Sequence, residues 1–173
     1  MSKKEAASVN RRQEIISAAI EVFAESGYYR TTTMQVAKQA NISQPYIFRF
    51  FASKEELLLA ALGVSWERVI EAFRRIAGTA PAEQLEQQLI EVYEQIMHEH
   101  RAEILLQMQA QTIHDEQIVK VMQAGFREIV SIVTAAFQKC GIANPEERTL
   151  LFLARGMLCN ISMALNMPEL MNK

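Results

Sequence analysis

Between Ser43 and Arg49 the chain sets three side chains of complementary chemistry, Gln44, Tyr46 and Arg49, within two helical turns. A glutamine amide or an arginine guanidinium makes bidentate hydrogen bonds to the edge of a base. A tyrosine ring packs on a thymine methyl, and its hydroxyl can bond a phosphate. Ser43 has the side chain of an N-cap, and Pro45 suits a first turn, where its missing N–H is harmless. The group is therefore expected on a short helix over 44–51, near its N-terminal end, with Pro45 keeping that turn rigid and narrow. Lys54 breaks a local rule, because a lysine at the first position of a helix opposes the helix dipole at a cost of a few tenths of a kcal/mol. A phosphate at that helix end would be attracted by dipole and lysine together. Taken alone, the same lysine is an ordinary exposed side chain.

These residues need elements to hold them. Ile15, Ile16, Ala19, Ile20 and Phe23 repeat at helical spacing and predict a helix over 10–26, stopped by Gly27. Thr32 with Gln35 three residues on forms a capping box for a second, short helix whose inner face is Val36, Ala37 and Ala40. Asn41 follows where the chain must turn sharply and tolerates the left-handed conformation. Ser53 and Glu56 make a further capping box, and a long helix with the stripe Leu58, Leu62, Trp66, Val69, Phe73 and Ile76 follows. Gly78, Thr79 and Pro81 are expected to break it. Four more helical segments are marked by Leu85 to Ile96, Ile104 to Met108, Ile118 to Phe137 and Leu150 to Leu165. Two short capped helices joined by a tight turn, with a first helix across them, is the helix-turn-helix arrangement, in which the second short helix enters the major groove.

Composition and charge narrow the class. Half of the 173 residues are apolar and 22% are charged, with six Gly and four Pro. Straight-chain helix formers abound and the alternating runs of strands are missing, so the fold is expected to be all-α. The net charge of −2 is uneven. Residues 1–54 hold eight basic and four acidic side chains, whereas the remainder holds ten basic and sixteen acidic. A basic head on an acidic body suits a head that meets a polyanion. Cys140 and Cys159 form no C-x-x-C pair, which points to a reducing compartment. The N-terminus lacks an apolar stretch behind its lysines, and no apolar run approaches the ~18 residues of a membrane span, so a cytoplasmic protein without membrane contact is expected. No Ser/His/Asp set or Gly-rich phosphate loop is present, and the three histidines His98, His100 and His114 share one region. Glu94 and His98 are spaced for a shared metal, but two ligands are too few. Neither an enzyme nor a metal nor a cofactor is expected.

The segment GYYRTTTMQVAKQANISQPYIFRFFASKEELL, residues 27–58, resembles the DNA-binding domain of the TetR (tetracycline repressor) family of bacterial transcriptional regulators. The likeness spans roughly residues 10–62, about a third of the chain. It is carried by the Thr-Thr opening, the Ala-x-x-Ala-x-Ile-Ser turn, the aromatic pair and the Ser-Lys-Glu-x-Leu entry into the long helix. The resemblance implies a three-helix DNA-binding domain over 1–52 and a helical effector-binding and dimerisation domain over 53–173. It places phosphate contacts on Thr32, Thr33, Tyr46 and Lys54, and groove contacts on Ser43, Gln44, Pro45, Tyr46 and Arg49. Asn41 stands where the family usually has Gly, Phe48 replaces a common Tyr and Arg49 a common His. Without the hydroxyl, Phe48 is expected to serve the core, while Arg49 can reach a phosphate or a base. The chain is short for the family, so one C-terminal helix is expected to be missing or merged.

In the body, the last two long helices carry apolar bands wider than one small core covers, which calls for a partner helix. The resemblance implies a homodimer through Phe126, Val130, Val133, Phe137, Leu150, Ala154, Leu158, Ile161 and Leu165, and hence a pseudo-palindromic double-stranded DNA operator. Tyr93, Met97, Met108, Met122 and Phe126 are candidate linings of an apolar effector pocket. Gln107 and Gln111 either bond that ligand or face solvent. The expected function is a homodimeric repressor released by a small, hydrophobic effector, the alternative being a DNA-binding regulator with no ligand.

Overall fold

A computed structural model describes residues 3–170. The element order is α1 (Lys3–Ser26), α2 (Thr33–Gln39), α3 (Gln44–Ile47), α4 (Lys54–Thr79), α5 (Leu85–Glu99), α6 (Arg101–Ala110), α7 (Glu116–Lys139) and α8 (Pro145–Leu165). No strand occurs among the described residues, and the chain is all-α.

The head folds from locally specified ends. The Thr32 backbone N–H donates to Gln35 Oε1 at 2.7 Å, and Gln35 N donates to Thr32 Oγ1 at 3.3 Å, which completes the expected capping box. Gly27 at φ +75° and Asn41 at φ +54° make the two left-handed turns that separate α1, α2 and α3. Ser53 accepts from Glu56 N at 3.1 Å, but the Glu56 carboxylate reaches back to Ala52 N at 2.6 Å rather than to Ser53.

Three boundaries and the apolar character of one helix differ from expectation. α1 begins at Lys3, seven residues before the predicted start. α3 ends at Ile47 instead of near 51, and Ser43 makes no side-chain cap bond. Buried Ile47 anchors this short helix, and the backbone N–H groups of Phe50 and Phe51 both return to Ile47 O. α4 runs through Gly78 to Thr79, because one exposed glycine costs a helix only about 1 kcal/mol, and the break falls at Ala80 and Pro81. Finally, α8 is long and apolar enough, by length and composition alone, to cross a membrane, with a mean hydropathy of 1.2 over its most apolar window. Arg148, Arg155 and Asn160 interrupt its apolar residues, so it contains no unbroken apolar run of that length. In the fold α8 packs against α5, α6 and α7.

One continuous core joins head and body. Ile15, Ile16 and Phe23 of α1 meet Val36, Ile47, Leu57, Leu58 and Leu62, and the cluster continues through Trp66, Val69 and Phe73 to Ile104, Ile129, Val133, Phe137 and Phe152. α4 is the shared wall, packed along α1 at its start and along α7 over its length. Polar clamps reinforce the junction. Gln109 Nε2 of α6 donates to Ala24 O at 2.8 Å near the end of α1. Arg68 Nε of α4 donates to Glu103 Oε2 of α6 at 2.8 Å, and His100 Nδ1 lies 3.5 Å from the other oxygen of that buried carboxylate.

Candidate nucleic-acid interface and body cavity

The expected reading residues gather on the exposed side of α3. Ser43, Pro45 and Arg49 are exposed, and Gln44 and Tyr46 are half-buried. Gln44 Nε2 donates to Thr33 Oγ1 at 2.7 Å, which ties the start of α3 to the start of α2 and fixes the angle between the two helices. That bond leaves Gln44 its amide oxygen and one N–H. The Arg49 guanidinium lies 5.2 Å from the centroid of the Tyr46 ring, and Tyr46 meets Phe50 edge-on at 5.4 Å. This stacking limits the rotamers of an otherwise mobile arginine and aims it beside the tyrosine. Thr32 is exposed and Thr33 half-buried at the N-terminus of α2, where backbone N–H groups and the dipole favour an anion.

One expectation in the head needs correcting, and Lys54 has partners that the sequence did not show. Phe48 is not a core residue: it is 51% exposed, at the C-cap of α3, because Ile47 and Phe51 already fill the space beneath. Lys54 is engaged within the chain. Its Nζ donates to Tyr28 O at 2.8 Å and to Thr31 O at 3.0 Å, and lies 4.5 Å from the centroid of the Tyr28 ring. Two of its three N–H donors thus hold the loop before α2, which accounts for a lysine at an unfavourable helix position. Sequence reasoning also passed over Tyr29 and Met34, both largely exposed on this loop and on α2.

The body contains a cavity of about 70 Å³ walled by α4, α5, α6, α7 and α8. Trp66, Val69, Phe73, Ile90, Phe126, Ile129 and Phe152 are among its apolar lining residues, and Glu94, Gln107, Gln111, Arg155 and Asn160 among its polar ones. Of the expected linings, Tyr93 and Phe126 are present. Met97 and Met108 are not among the lining residues, and buried Met122 lines a separate surface depression with Val119 and Gln123. Met122 is buried and Met97 packs against the core, but periodicity does not show which helix they meet. Gln107 and Gln111 both line the cavity, and buried Gln107 donates to Ser65 Oγ at 3.2 Å. The Tyr93 hydroxyl donates to Asn160 Oδ1 at 2.8 Å, and burial pushes its pKa up to about 12, so the phenol stays neutral. Burial, and after it Glu94, also pushes the Cys159 thiol up, which makes it a poor thiolate.

Trp66 is packed without slack. A Cβ placed on Gly125 would stand 2.2 Å from Trp66 Cδ2, so only glycine lets α7 approach the indole this closely. Phe126 meets the same ring edge-on at 5.0 Å.

The expected dimer residues divide. Val133 and Phe137 are fully buried in the chain's own core, and Phe126 is turned to the cavity, so these three do not form an outer face. Val130, Leu150, Ala154, Leu158, Ile161 and Leu165 are exposed. On α8 they recur at intervals of three and four residues and form one stripe, joined by Leu151.

Comparison with known proteins adds the family. The family model for bacterial regulatory proteins of the tetR family matches residues 15–61. The HTH-type transcriptional regulator HbdR of Aromatoleum sp. (strain CIB) is 38% identical over 81 residues, covering 43% of this chain and 34% of that protein. The crystal structure of the transcriptional regulator FadR from Bacillus subtilis in complex with stearoyl-CoA superposes with a TM-score of 0.74 at 18% identity, over 89% of this chain and 88% of that one. AibR in complex with isovaleryl coenzyme A and operator DNA gives 0.73 at 16% identity, over 87% and 85%. Those two structures share the fold. The chain spans about a third to a half of the length of the curated relatives it matches first. Residues 15–61 thus match the tetR family of bacterial regulatory proteins, and most of the chain shares its fold with FadR and AibR.

Proposed function

We propose that the protein is a DNA-binding transcriptional regulator, a homodimeric repressor that leaves a pseudo-palindromic operator when a small, largely apolar molecule enters the body cavity. The observation that carries this reading is the exposed edge of α3, with Gln44 clamped to Thr33 and Arg49 stacked on Tyr46, in a segment matched by the tetR family model. The head over 1–52 would read DNA, and the body over 53–173 would bind the effector and dimerise. In the head, Ser43, Gln44, Pro45, Tyr46 and Arg49 face the groove, and Thr32 and Thr33 take phosphates. Lys54 chiefly positions the loop beside them.

The second half of the proposal rests on the body. The exposed stripe of α8 with Val130 of α7 is the face that would bury itself against the same stripe of a second chain, giving a twofold dimer with two reading helices. FadR was crystallised with stearoyl-CoA and AibR with isovaleryl coenzyme A, which makes acyl thioesters the effector class to try first. At about 70 Å³ the cavity is far smaller than the few hundred Å³ that a drug-sized ligand fills. An acyl chain must therefore part α4, α7 and α8. A ligand that binds only the parted state, by a few kcal/mol, moves the equilibrium away from the DNA-bound one.

The test is binding to the DNA directly upstream of the protein's own gene, at two salt concentrations, against scrambled DNA of equal length. Specific readout predicts affinity that survives the higher salt better than the scrambled control does. Equal loss on both DNAs would reduce the head to a general polyanion binder. An acyl-CoA series added to the complex then tests release. Failure of every acyl-CoA to release DNA, with specific binding intact, would favour a regulator whose body is only a filled core.

A further inference from the structure

We infer that the molecule recognised by the body cavity carries a carbonyl oxygen, or an equivalent uncharged acceptor, that takes the indole N–H of Trp66. This rests on the reading of that cavity as an effector site. Trp66 lines the cavity and is only 7% exposed. Among the described residues, Trp66 Nε1 and Gln109 Oε1 are the buried side-chain nitrogen and oxygen atoms without a hydrogen-bond partner, and Gln109 does not line the cavity. Buried donors in native proteins are nearly always paired, so an unpaired one calls for its own explanation.

The neighbouring polar groups do not share the problem. The Tyr93 hydroxyl is satisfied by Asn160, and the Gln107 amide donates to Ser65. Nor can the indole turn away to find a partner: Gly125 lies against its ring and Phe126 against its edge. The indole N–H is a donor only, so it selects an acceptor and discriminates against an ammonium or a bare hydrocarbon. The cavity is also lined by Val69, Phe73, Ile129 and Phe152, which suit an apolar chain or ring attached to that acceptor. The class defined by this arrangement is an apolar compound with one buried carbonyl: a ketone, an ester or a thioester, with any charged portion left towards exposed Arg155.

Trp66 is the chain's single tryptophan, so its indole gives one resonance in a ¹H–¹⁵N correlation spectrum. The probes are octan-2-one and its isostere 2-methyloct-1-ene, in which a methylene group replaces the oxygen, with octanoyl-CoA as a third ligand. The expected result is a downfield shift of the indole proton with the ketone and with octanoyl-CoA. The ketone should bind about tenfold more tightly than the alkene, the scale of one hydrogen bond. Trp66→Phe should remove that tenfold preference by weakening the ketone and leaving the alkene unchanged; if this variant does not fold, the wild-type resonance decides alone. Equal binding of ketone and alkene with an unmoved indole proton would overturn the inference while leaving the effector cavity standing. If none of the three binds, the effector reading falls and takes this inference with it.

Discussion

The reading edge of the head and the cavity walls of the body use the same helices-on-helices packing for opposite ends. Around α3, polar side chains are kept exposed but are pinned by short local bonds: Thr32 to Gln35, Gln44 to Thr33, Lys54 to the carbonyls of Tyr28 and Thr31. Around Trp66, apolar side chains from α4, α7 and α8 enclose a small space with a polar atom left unmatched. The head pins part of each polar side chain and leaves the rest free to bond, and the body has a buried indole donor without an acceptor. On the proposed function, the head that presents groups tolerates little movement, whereas a body that admits a guest must open, and an unpaired buried donor makes that opening less costly.

The sharpest way to break this contrast is to close the body. Gly125→Ala drives a methyl into the Trp66 ring and should cost about 3 kcal/mol or more of stability, measured by urea unfolding. The folded fraction should still prefer operator to scrambled DNA. A cost under about 1 kcal/mol would mean that α7 yields easily.

Next in size is Arg49→Ala in the head, which should weaken specific DNA binding by about 1–3 kcal/mol while the melting temperature barely changes. An unchanged operator affinity would remove Arg49 from the reading edge.

The third test is alkaline. The folded-state pKa of Tyr93, about 12, lies above the ordinary value of 10, so between those limits the folded chain holds a proton that the unfolded chain releases. Stability from this group is complete below pH 10 and falls as pH rises towards 12, by roughly 1 kcal/mol per pH unit. Tyr93→Phe should abolish that part of the decline, read as the difference between two unfolding curves. Smallest is Lys54→Met, expected to lower stability by about 1 kcal/mol through loss of two backbone contacts, with the salt slope of DNA binding unchanged. A slope lower by about one would return Lys54 to the phosphates.

The same contrast governs what the sequence could reveal. The ends of α2, the turn at Asn41 and the entry into α4 were legible because cap and turn chemistry acts over three or four residues. Even there, Ser43 had the right side chain and made no bond, since burial of Ile47 already holds α3. Phe48 looked like core by its type and lies outside because the interior was already full. In the body, periodicity announced that Val133 and Phe137 are buried but not against what, and they face the chain's own core rather than a partner. Trp66 was one member of an apolar stripe. Nothing in its neighbours along the chain could show that Gly125 would wedge its ring or that its N–H would lack an acceptor.

α4 carries both stories in a single rod. Lys54 at its first residue grips the loop that leads into α2, and Trp66, three turns on, sits in the cavity wall. At 1.5 Å per residue the two are about 18 Å apart along the axis, so a tilt of roughly 5° about Trp66 swings the gripping end by about 1.5 Å. Hydrogen bonds to base edges tolerate only a few tenths of an ångström. A displacement too small to disturb the core around the tryptophan is thus geared up to one that a groove would not accept.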